Sequence, residues 1–346
     1  MPIDLDLLKE LCAAPGAPGR EERVRDIVLR ELGPVCDQIE VDPLGNVLAL
    51  RHGSGGGRFM AAAHLDEIGF MVSYISDSGF LYFVPLGGFD PKTLTAQRVI
   101  VHGRRDLLGV MGSKPIHILS DDEKRKSPRI EDFFIDVGLP GDEVKELVRI
   151  GDVVTRERDL ATVGELINGK SFDDRVGVFV MIEAMKALSA NRMDIWAVAS
   201  SQEEVGVRGA TVAANRVEPD VGIALDVTLA NDVPFTQKHQ AITEVGKGTA
   251  IKAYDSSVIP NWKLVDFMRE TCAERSIPYQ LEVLPRGGTD AGAMQRAGKG
   301  AAAGCISVPT RYVHSVIEMI HPRDVQASID LLVALMETCE PGMFKL

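Results

Sequence analysis

The pattern of the sequence changes twice, and these changes limit the folds that the chain can adopt. Up to about residue 68 and after about residue 165, helical patterns alternate with short apolar runs that predict buried strands. From residue 69 to residue 164, short runs such as LYFVPL and RVIVHG are separated by Gly, Pro and Asp turns, which is typical of β-structure. We therefore expect one α/β domain made of residues 1–68 and 165–346, with a small β-rich domain of residues 69–164 inserted into it.

The two outer segments contain the elements that a single α/β domain needs. Apolar residues at helical spacing predict helices over residues 4–14, 19–33, 173–190, 260–276 and 321–339. A hairpin is predicted over residues 36–50, and the runs FMAAA, DIWAVAS, VGIALDV and AAGCISV predict buried strands. His321, which precedes Pro322, is interpreted as a structural residue at the start of the last helix.

Composition excludes some classes of function. The chain of 346 residues has a formal net charge of −12, which argues against a general nucleic-acid binder, because such proteins need a basic face. No apolar run approaches the ~20 residues that span a bilayer, and the N-terminus lacks the pattern of a signal peptide, so no membrane partner is expected. The five cysteines are scattered and form no CxxC, which favours reduced thiols and a cytoplasmic protein.

Several of the predicted buried strands lead into residues that commonly bind metal ions. FMAAA is followed by His64 and Asp66, DIWAVASSQ by Glu203 and Glu204, and VGIAL by Asp226; the segment AAGCISVPTRYV leads to His314, and Asp173 with Asp174 opens a predicted helix. In an open α/β sheet, the loops at the carboxyl ends of the strands converge on one crevice. We therefore expect these side chains to lie close together.

Each of these residues also has an ordinary structural interpretation. Asp173 and Asp174 fit a helix N-terminus, where acidic side chains accept hydrogen bonds and complement the helix dipole. Asp226 and His314 fit a turn and a surface loop, and His64 alone fits a satisfied core histidine. In HLD, however, His64 and Asp66 face the same side of an extended chain, so Asp66 can orient a histidine that binds metal.

The adjacent pair Glu203 and Glu204 is the hardest feature to explain structurally. Two neighbouring carboxylates at the end of a core strand repel each other and are costly to bury without a positive partner. Two divalent ions would be balanced by Asp173, Glu204 and Asp226 together with one hydroxide. A donor set of imidazole and carboxylate without thiolate suits Zn²⁺ or Co²⁺, with Mn²⁺ as a further candidate. Glu203 then remains available as a base.

Six motifs in the same order give the sequence a resemblance to a known family. They are AAHLDEIGFMV, GKSFDDRVG, SSQEEVGVRGA, ALDVTLANDVP, GGTDAGAMQ and PTRYVHSVIEM, and together they span nearly the whole chain. The sequence resembles the tetrahedral (TET) aminopeptidases, which are glutamyl-aminopeptidase-like dinuclear metallopeptidases. The resemblance implies a mixed central sheet with helices on both faces, and an inserted PDZ-like β-barrel used for dimerisation.

The resemblance also assigns a role to each candidate site residue. It implies that His64 and Asp226 bind one metal ion, that Glu204 and His314 bind the other, and that Asp173 bridges them. Glu203 matches the general base and Asp66 the acid that orients His64. Family members cleave N-terminal residues from short peptides with a free N-terminus, and their dimers commonly assemble into a tetrahedral dodecamer.

Three other functions compete with an aminopeptidase. Related dinuclear enzymes deacylate N-acyl amino acids or peptides, whose amine is blocked. A glycosidase needs two carboxyl groups on either side of a sugar, ~5–9.5 Å apart, and adjacent residues such as Glu203 and Glu204 do not easily provide that arrangement. An inactive oligomeric shell is disfavoured because the ligands and the base are all present. The sequence does not indicate which side chain is preferred at the substrate's first position.

Overall fold

Seventeen strands form two sheets and one closed barrel in the computed structural model, which describes residues 3–346. The strands are β1 Gln38–Val41, β2 Val47–Arg51, β3 Arg58–His64, β4 Gly69–Ile75, β5 Leu81–Leu86, β6 Arg98–His102, β7 Asp106–Ser113, β8 Phe133–Asp136, β9 Val153–Arg156, β10 Ala161–Val163, β11 Leu166–Gly169, β12 Asp194–Ser200, β13 Val221–Leu229, β14 Thr249–Tyr254, β15 Tyr279–Val283, β16 Ala302–Thr310 and β17 Glu318–Ile320.

Nine α-helices lie within the described residues. They are α1 Leu5–Ala13, α2 Glu22–Leu32, α3 Asp121–Arg125, α4 Gly141–Leu147, α5 Phe172–Ala187, α6 Arg208–Val217, α7 Trp262–Arg275, α8 Asp290–Arg296 and α9 Pro322–Thr338. His321 is the N-cap of α9, and its ring accepts a hydrogen bond from the backbone N–H of Arg323 at 3.0 Å, which confirms its predicted structural role.

The largest sheet has eight strands in the order β1-β2-β12-β3-β13-β16-β14-β15. Its centre is parallel, because β12, β3, β13 and β16 all run in the same direction. The hairpin β1–β2 pairs antiparallel with β12, and β14 pairs antiparallel with β16, so the whole sheet is mixed. The central parallel strands are almost entirely buried, as expected of strands covered on both faces.

Helices cover both faces of this sheet. On one face, side chains of α1, α2, α5, α7 and α9 pack with the sheet in the largest hydrophobic core. On the other face, α6 and α8 pack over a smaller core that includes Met60 and Val198. Helix α5 is apolar on nearly all sides, and it lies between the sheet and α9, with almost every residue buried.

The β-rich region forms a closed barrel with its own core. Its strands are ordered β4-β5-β8-β7-β6-β9, and β9 pairs with β4 to close it. Phe70, Val72, Leu81, Val99 and Ile135 are among the buried residues that fill the interior. A separate three-stranded sheet, β10-β11-β17, joins the end of the barrel segment to the start of α5.

The predicted fold class, a mixed α/β sheet with helices on both faces and an inserted β-barrel, is confirmed by this arrangement. The boundaries at residues 68 and 164 stay a prediction; β10 falls inside the predicted insert but pairs outside the barrel. All five cysteines are free in the described structure, and their redox state stays a prediction. Within residues 3–346, none of the helices combines the length and the apolar character needed to cross a membrane.

Candidate metal centre

The parallel strands bring predicted ligands to one edge of the large sheet. His64 is the last residue of β3 and pairs with Ser200, the last residue of β12, so Glu203 and Glu204 follow immediately at that edge. Asp226 lies on β13, whose register with β3 puts it level with His64. The expectation that the strand ends at Asp226 was wrong, because β13 continues to Leu229 and the Asp226 side chain is buried within it.

Asp173 lies between the two histidines. Its Oδ1 is 3.1 Å from Nε2 of His64, and its Oδ2 is 3.2 Å from Nε2 of His314. Although Asp173 is in the first turn of α5, its backbone is extended (φ −76°, ψ 102°), and the peptide bond to Asp174 is cis. One carboxylate therefore faces two imidazoles that come from segments 250 residues apart in the chain (314 − 64).

The Nδ1 atom of each histidine is hydrogen-bonded to a backbone carbonyl oxygen. Nδ1 of His64 lies 2.9 Å from the carbonyl oxygen of Asp66, and Nδ1 of His314 lies 2.8 Å from the carbonyl oxygen of Gly88. These bonds place a proton on Nδ1 in the neutral ring and leave Nε2 with a free lone pair. Both histidines therefore present the correct nitrogen toward Asp173 for binding a cation.

The Asp66 carboxylate contacts the glutamate loop more closely than it contacts His64. Its oxygens accept hydrogen bonds from the backbone N–H groups of Glu203 at 2.9 Å and Glu204 at 3.0 Å. The distance from its Oδ1 to Nδ1 of His64 is 3.5 Å, so the carbonyl of Asp66 is the closer partner of the ring. Asp66 thus orients the histidine through its backbone and the two glutamates through its side chain.

The carboxylates of the site are buried in an environment that disfavours their charge. Burial raises the pKa of Glu203, Glu204 and Asp226, and the charge of Asp173 raises the pKa of the last two further. Oε2 of Glu203 is 3.9 Å from Nε2 of His64, and Oε1 of Glu204 is 3.5 Å from Nε2 of His314. The pair of glutamates therefore lies beside the two histidines, as expected.

The residues present fit a cluster of metal ligands. Ligand atoms of His64, Asp173 and Glu204 lie within 4.8 Å of one another. Oε1 of Glu204 is buried and accepts no hydrogen bond from the described residues, which is costly unless a cation is present. Nε2 of His314 lies 3.2 Å from Oδ2 of Asp173 and 3.5 Å from Oε1 of Glu204. The donors are imidazole nitrogens and carboxylate oxygens, a set that suits Zn²⁺, Co²⁺ or Mn²⁺.

Sequence reasoning missed Glu318, which contacts the backbone of two predicted ligands. It is fully buried on β17, and its carboxylate accepts hydrogen bonds from the N–H of His314 at 3.0 Å and the N–H of Asp173 at 3.3 Å. The spacing HSVIE, with an acid four residues after His314, was the only signal of this role in the sequence.

Two further buried acids support the edge of the sheet. Asp174 accepts hydrogen bonds from the backbone N–H of His64 at 3.0 Å and of Gly177 at 3.0 Å. Asp290, at the start of α8, accepts a hydrogen bond from Oγ of Ser200 at 2.5 Å. The motif GGTDAG carries Asp290, but only the three-dimensional packing brings it to the end of β12.

Comparison with known proteins identifies relatives over nearly the full length. The family described as M42 glutamyl aminopeptidase matches residues 45–331. The lysyl aminopeptidase of Pyrococcus furiosus is 38% identical over 350 residues, which cover 99% of each chain.

Solved structures of related enzymes have the same fold. The aminopeptidase APDkam598 from the archaeon Desulfurococcus kamchatkensis superposes with a TM-score of 0.94 at 40% identity, covering 98% of this chain and 96% of the other. The TET1 peptidase of Pyrococcus horikoshii gives a TM-score of 0.87 at 32% identity, covering 97% and 99%. The resemblance drawn from the six motifs is confirmed, and this chain is a peptide hydrolase that belongs to the M42 glutamyl aminopeptidase family.

Proposed function

We propose that the chain is a dinuclear metalloaminopeptidase that removes N-terminal residues from short peptides. The observation that carries this proposal is the position of Asp173, whose two oxygens face Nε2 of His64 at 3.1 Å and Nε2 of His314 at 3.2 Å. A carboxylate that presents one oxygen to each of two imidazoles is suited to bridge a pair of cations. Family membership supports the aminopeptidase activity.

The ligands divide into two groups around Asp173. His64 and Asp226 would hold one ion, and Glu204 and His314 would hold the other. When bound, a pair of divalent ions acidifies a water molecule and polarises the scissile carbonyl. Zn²⁺ or Co²⁺ is proposed, with Mn²⁺ as a further candidate, because the donors are nitrogen and oxygen atoms.

Glu203 is proposed as the general base. Its carboxylate is largely buried near His64 but makes no hydrogen bond through its side chain to the described residues. Burial raises the pKa of Glu203, which favours a group that accepts a proton from the attacking water and returns it to the leaving amine. Asp66 keeps Glu203 in position through the backbone hydrogen bond of 2.9 Å.

The substrate is proposed to carry a free N-terminus. We propose that the free α-amine would be anchored near the second metal ion and its acids, which confines cleavage to the first residue. A blocked amine could not be held in this way, which is why the deacylase alternative is disfavoured.

Assembly into dimers and then a dodecamer is proposed through the barrel. The solved P. horikoshii relative is described as assembling into a tetrahedron or a large octahedral shell. In this chain, the barrel exposes the apolar side chains of Tyr74, Val84, Leu108 and Val110, as an interface between copies would require. Light scattering of the purified protein tests this. A cytoplasmic location is also proposed, supported by the five free cysteines.

The main test uses aminoacyl-p-nitroanilides and their N-acetylated counterparts with protein stripped by a chelator. We expect added Co²⁺ or Zn²⁺ to restore cleavage of the free-amine set alone, and the panel also ranks side-chain preference. Cleavage of the acetylated set would instead support the deacylase, and no cleavage with two ions bound would support an inactive shell.

A pair of variants separates the base from the ligands. Glu203→Gln is expected to lower kcat by about 10²–10⁴-fold while the metal content stays near that of the wild type, because Glu203 acts on protons and binds no ion. Glu204→Gln is expected to lose metal as well as activity. If Glu203→Gln kept full activity, Glu203 would not be the base.

A further inference from the structure

We propose that a partly open cavity beside the buried Arg156 side chain binds one small monovalent anion, either chloride or a carboxylate. The cavity, of about 270 Å³, lies where the barrel strands β6, β7 and β9 meet the loop between α1 and α2 and the start of α5. Arg156, Lys170, Arg23, His102 and Asp106 are among its lining residues. None of the predicted metal ligands lines it, so this site is distinct from the metal centre.

Arg156 is a buried cation with hydrogen-bond donors that lack partners in the described structure. Its side chain is 3% exposed, and its Nε and Nη1 atoms are buried with no hydrogen-bond acceptor among residues 3–346. The ring of Phe89 lies 5.6 Å from the guanidinium carbon, and its π face offsets part of the charge but accepts no ordinary hydrogen bond. A buried charge with unused donors is strongly unfavourable unless a negative partner is bound.

The other buried or paired charges around the cavity already have partners. Arg23 pairs with Asp106 at 2.6 Å, and Lys170 pairs with Glu67 at 2.8 Å. Glu157 also lines the cavity and is paired with Arg98, which lies 2.8 Å away, whereas Arg158 and Asp159 are exposed to water. Among the buried cations that line the cavity, Arg156 alone has no partner in the described structure.

Glu318 is the buried acid whose charge interacts with Arg156, but it does not take the place of the anion. The two side chains form no ion pair in the described structure; the charge of Arg156 only lowers the pKa of Glu318, which burial raises. The Glu318 carboxylate already accepts hydrogen bonds from the backbone N–H groups of Asp173 and His314. The donors of Arg156 remain free, and the residue lines the cavity.

Charge and size define the class of ligand. One guanidinium balances one negative charge, and its planar set of donors binds a carboxylate through two hydrogen bonds or a halide through one or two. A water molecule occupies about 30 Å³ in the liquid, so the cavity has room for a small anion with several waters.

The test uses the full-length metal-loaded protein and two measurements. Crystals soaked in bromide are expected to show one anomalous peak per chain within hydrogen-bonding distance of the Arg156 guanidinium. In solution, replacing gluconate by chloride at constant ionic strength is expected to raise Tm by about 2–4 °C, because the anion binds the folded state.

Two variants serve as matched probes. Arg156→Met removes the charge while keeping much of the side-chain volume, and it is expected to lose both the bromide peak and the chloride-dependent rise in Tm. Arg158→Met, two residues away and exposed, is expected to keep both. If Arg156→Met does not fold, the two wild-type measurements still decide the question.

Three outcomes would overturn the proposal. They are ordered water alone beside Arg156 in crystals soaked in either bromide or acetate, a carboxylate from a second subunit within ion-pair distance, and a wild-type Tm that is the same in gluconate, chloride and acetate. The source of the anion is decided by comparing acetate with chloride. A rise in Tm with acetate alone identifies a carboxylate as the ligand, and a rise with both identifies a general small-anion site.

Discussion

Two clusters of buried ionisable groups lie on either side of the first turn of α5, and they differ in how their charge is balanced. In the first, Glu67 is 2.8 Å from Nζ of Lys170 and 3.6 Å from Nη2 of Arg175, and all three side chains are almost completely buried. Although burial opposes its ionisation, the charges of Lys170 and Arg175 lower the pKa of Glu67. Each buried charge in this cluster therefore has a partner of opposite sign within the chain, and Arg175 also donates hydrogen bonds to the carbonyl oxygens of Leu11, Ala14 and Leu65.

The second cluster is the candidate metal centre, which is mainly acidic. Glu203, Glu204 and Asp226 are buried with their pKa raised, and the side chains closest to the two glutamates are imidazoles. The comparison shows that burial of charge does not by itself indicate a functional site. Buried charges that lack a partner of opposite sign do, because the missing charge has to come from a ligand.

Removing the negative charge of the cluster of Glu67, Lys170 and Arg175 should have the largest effect on stability. Glu67→Gln leaves Lys170 and Arg175 buried without a negative partner, and we expect it to lower the free energy of unfolding by about 3–5 kcal/mol. Chemical denaturation measures this difference. The control is Glu31→Gln, which removes the partner of Lys186 at a more exposed position and is expected to cost under about 1 kcal/mol. Equal effects of the two substitutions would contradict the comparison.

Glu318 positions two predicted ligands at the candidate metal centre, and its substitution should lower metal affinity. Glu318→Gln replaces one carboxylate oxygen by an NH₂ group, which cannot accept the N–H of Asp173 or His314. We expect metal affinity to fall by about 10–100-fold, measured by competition between the protein and a chromogenic chelator. The absorption spectrum of the Co²⁺ form should also change.

The matched control for Glu318 is Asp324. Its buried carboxylate accepts the N–H groups of Gly246 at 2.6 Å and Gly248 at 2.7 Å, the same kind of interaction at a place without metal ligands. Asp324→Asn is expected to lower stability and to leave metal affinity unchanged. If both variants lost metal to the same extent, the effect of Glu318 would be structural rather than positional.

The smallest expected change in the free energy of unfolding is that of Glu204→Gln in the metal-free protein. It is an increase, whereas Glu67→Gln causes a decrease. In the metal-free protein, burial raises the pKa of Glu204 above 4.5, so the unfolded chain releases this proton at lower pH than the folded chain. The free energy of unfolding should therefore fall as pH rises above 4.5. Glu204→Gln removes this loss, so the metal-free variant should be more stable than the metal-free wild type at neutral pH.

Adding metal ions should reverse the order of stability, so that the wild type becomes more stable than the Glu204→Gln variant. The wild type gains stability from the bound ions, and the variant gains less because one ligand is lost. Thermal unfolding at several pH values, with and without Co²⁺, measures both effects. A metal-free variant that is clearly less stable than the wild type would show that Glu204 is balanced within the chain.

Local pattern was sufficient to predict an α/β domain, an inserted β-rich domain and the clustering of His64, Asp173, Glu204 and His314, whereas the mixed sheet and the barrel were implied by the family resemblance. The reason is that a buried parallel strand shows itself as an apolar run, and a polar residue that follows such a run lies at one known edge of the sheet. The family motifs then gave those residues expected roles.

Only the tertiary structure decided which groups balance each other's charge. Glu318 meets Asp173 and His314 through pairing of β17 with β11, and Asp66 binds the glutamate loop 137 residues away. Arg156 resembles any other strand residue in the sequence, and its lack of a partner appears only when the barrel packs beside α5. Burial and charge pairing depend on contacts between distant segments, so the sequence pattern of each segment does not contain them.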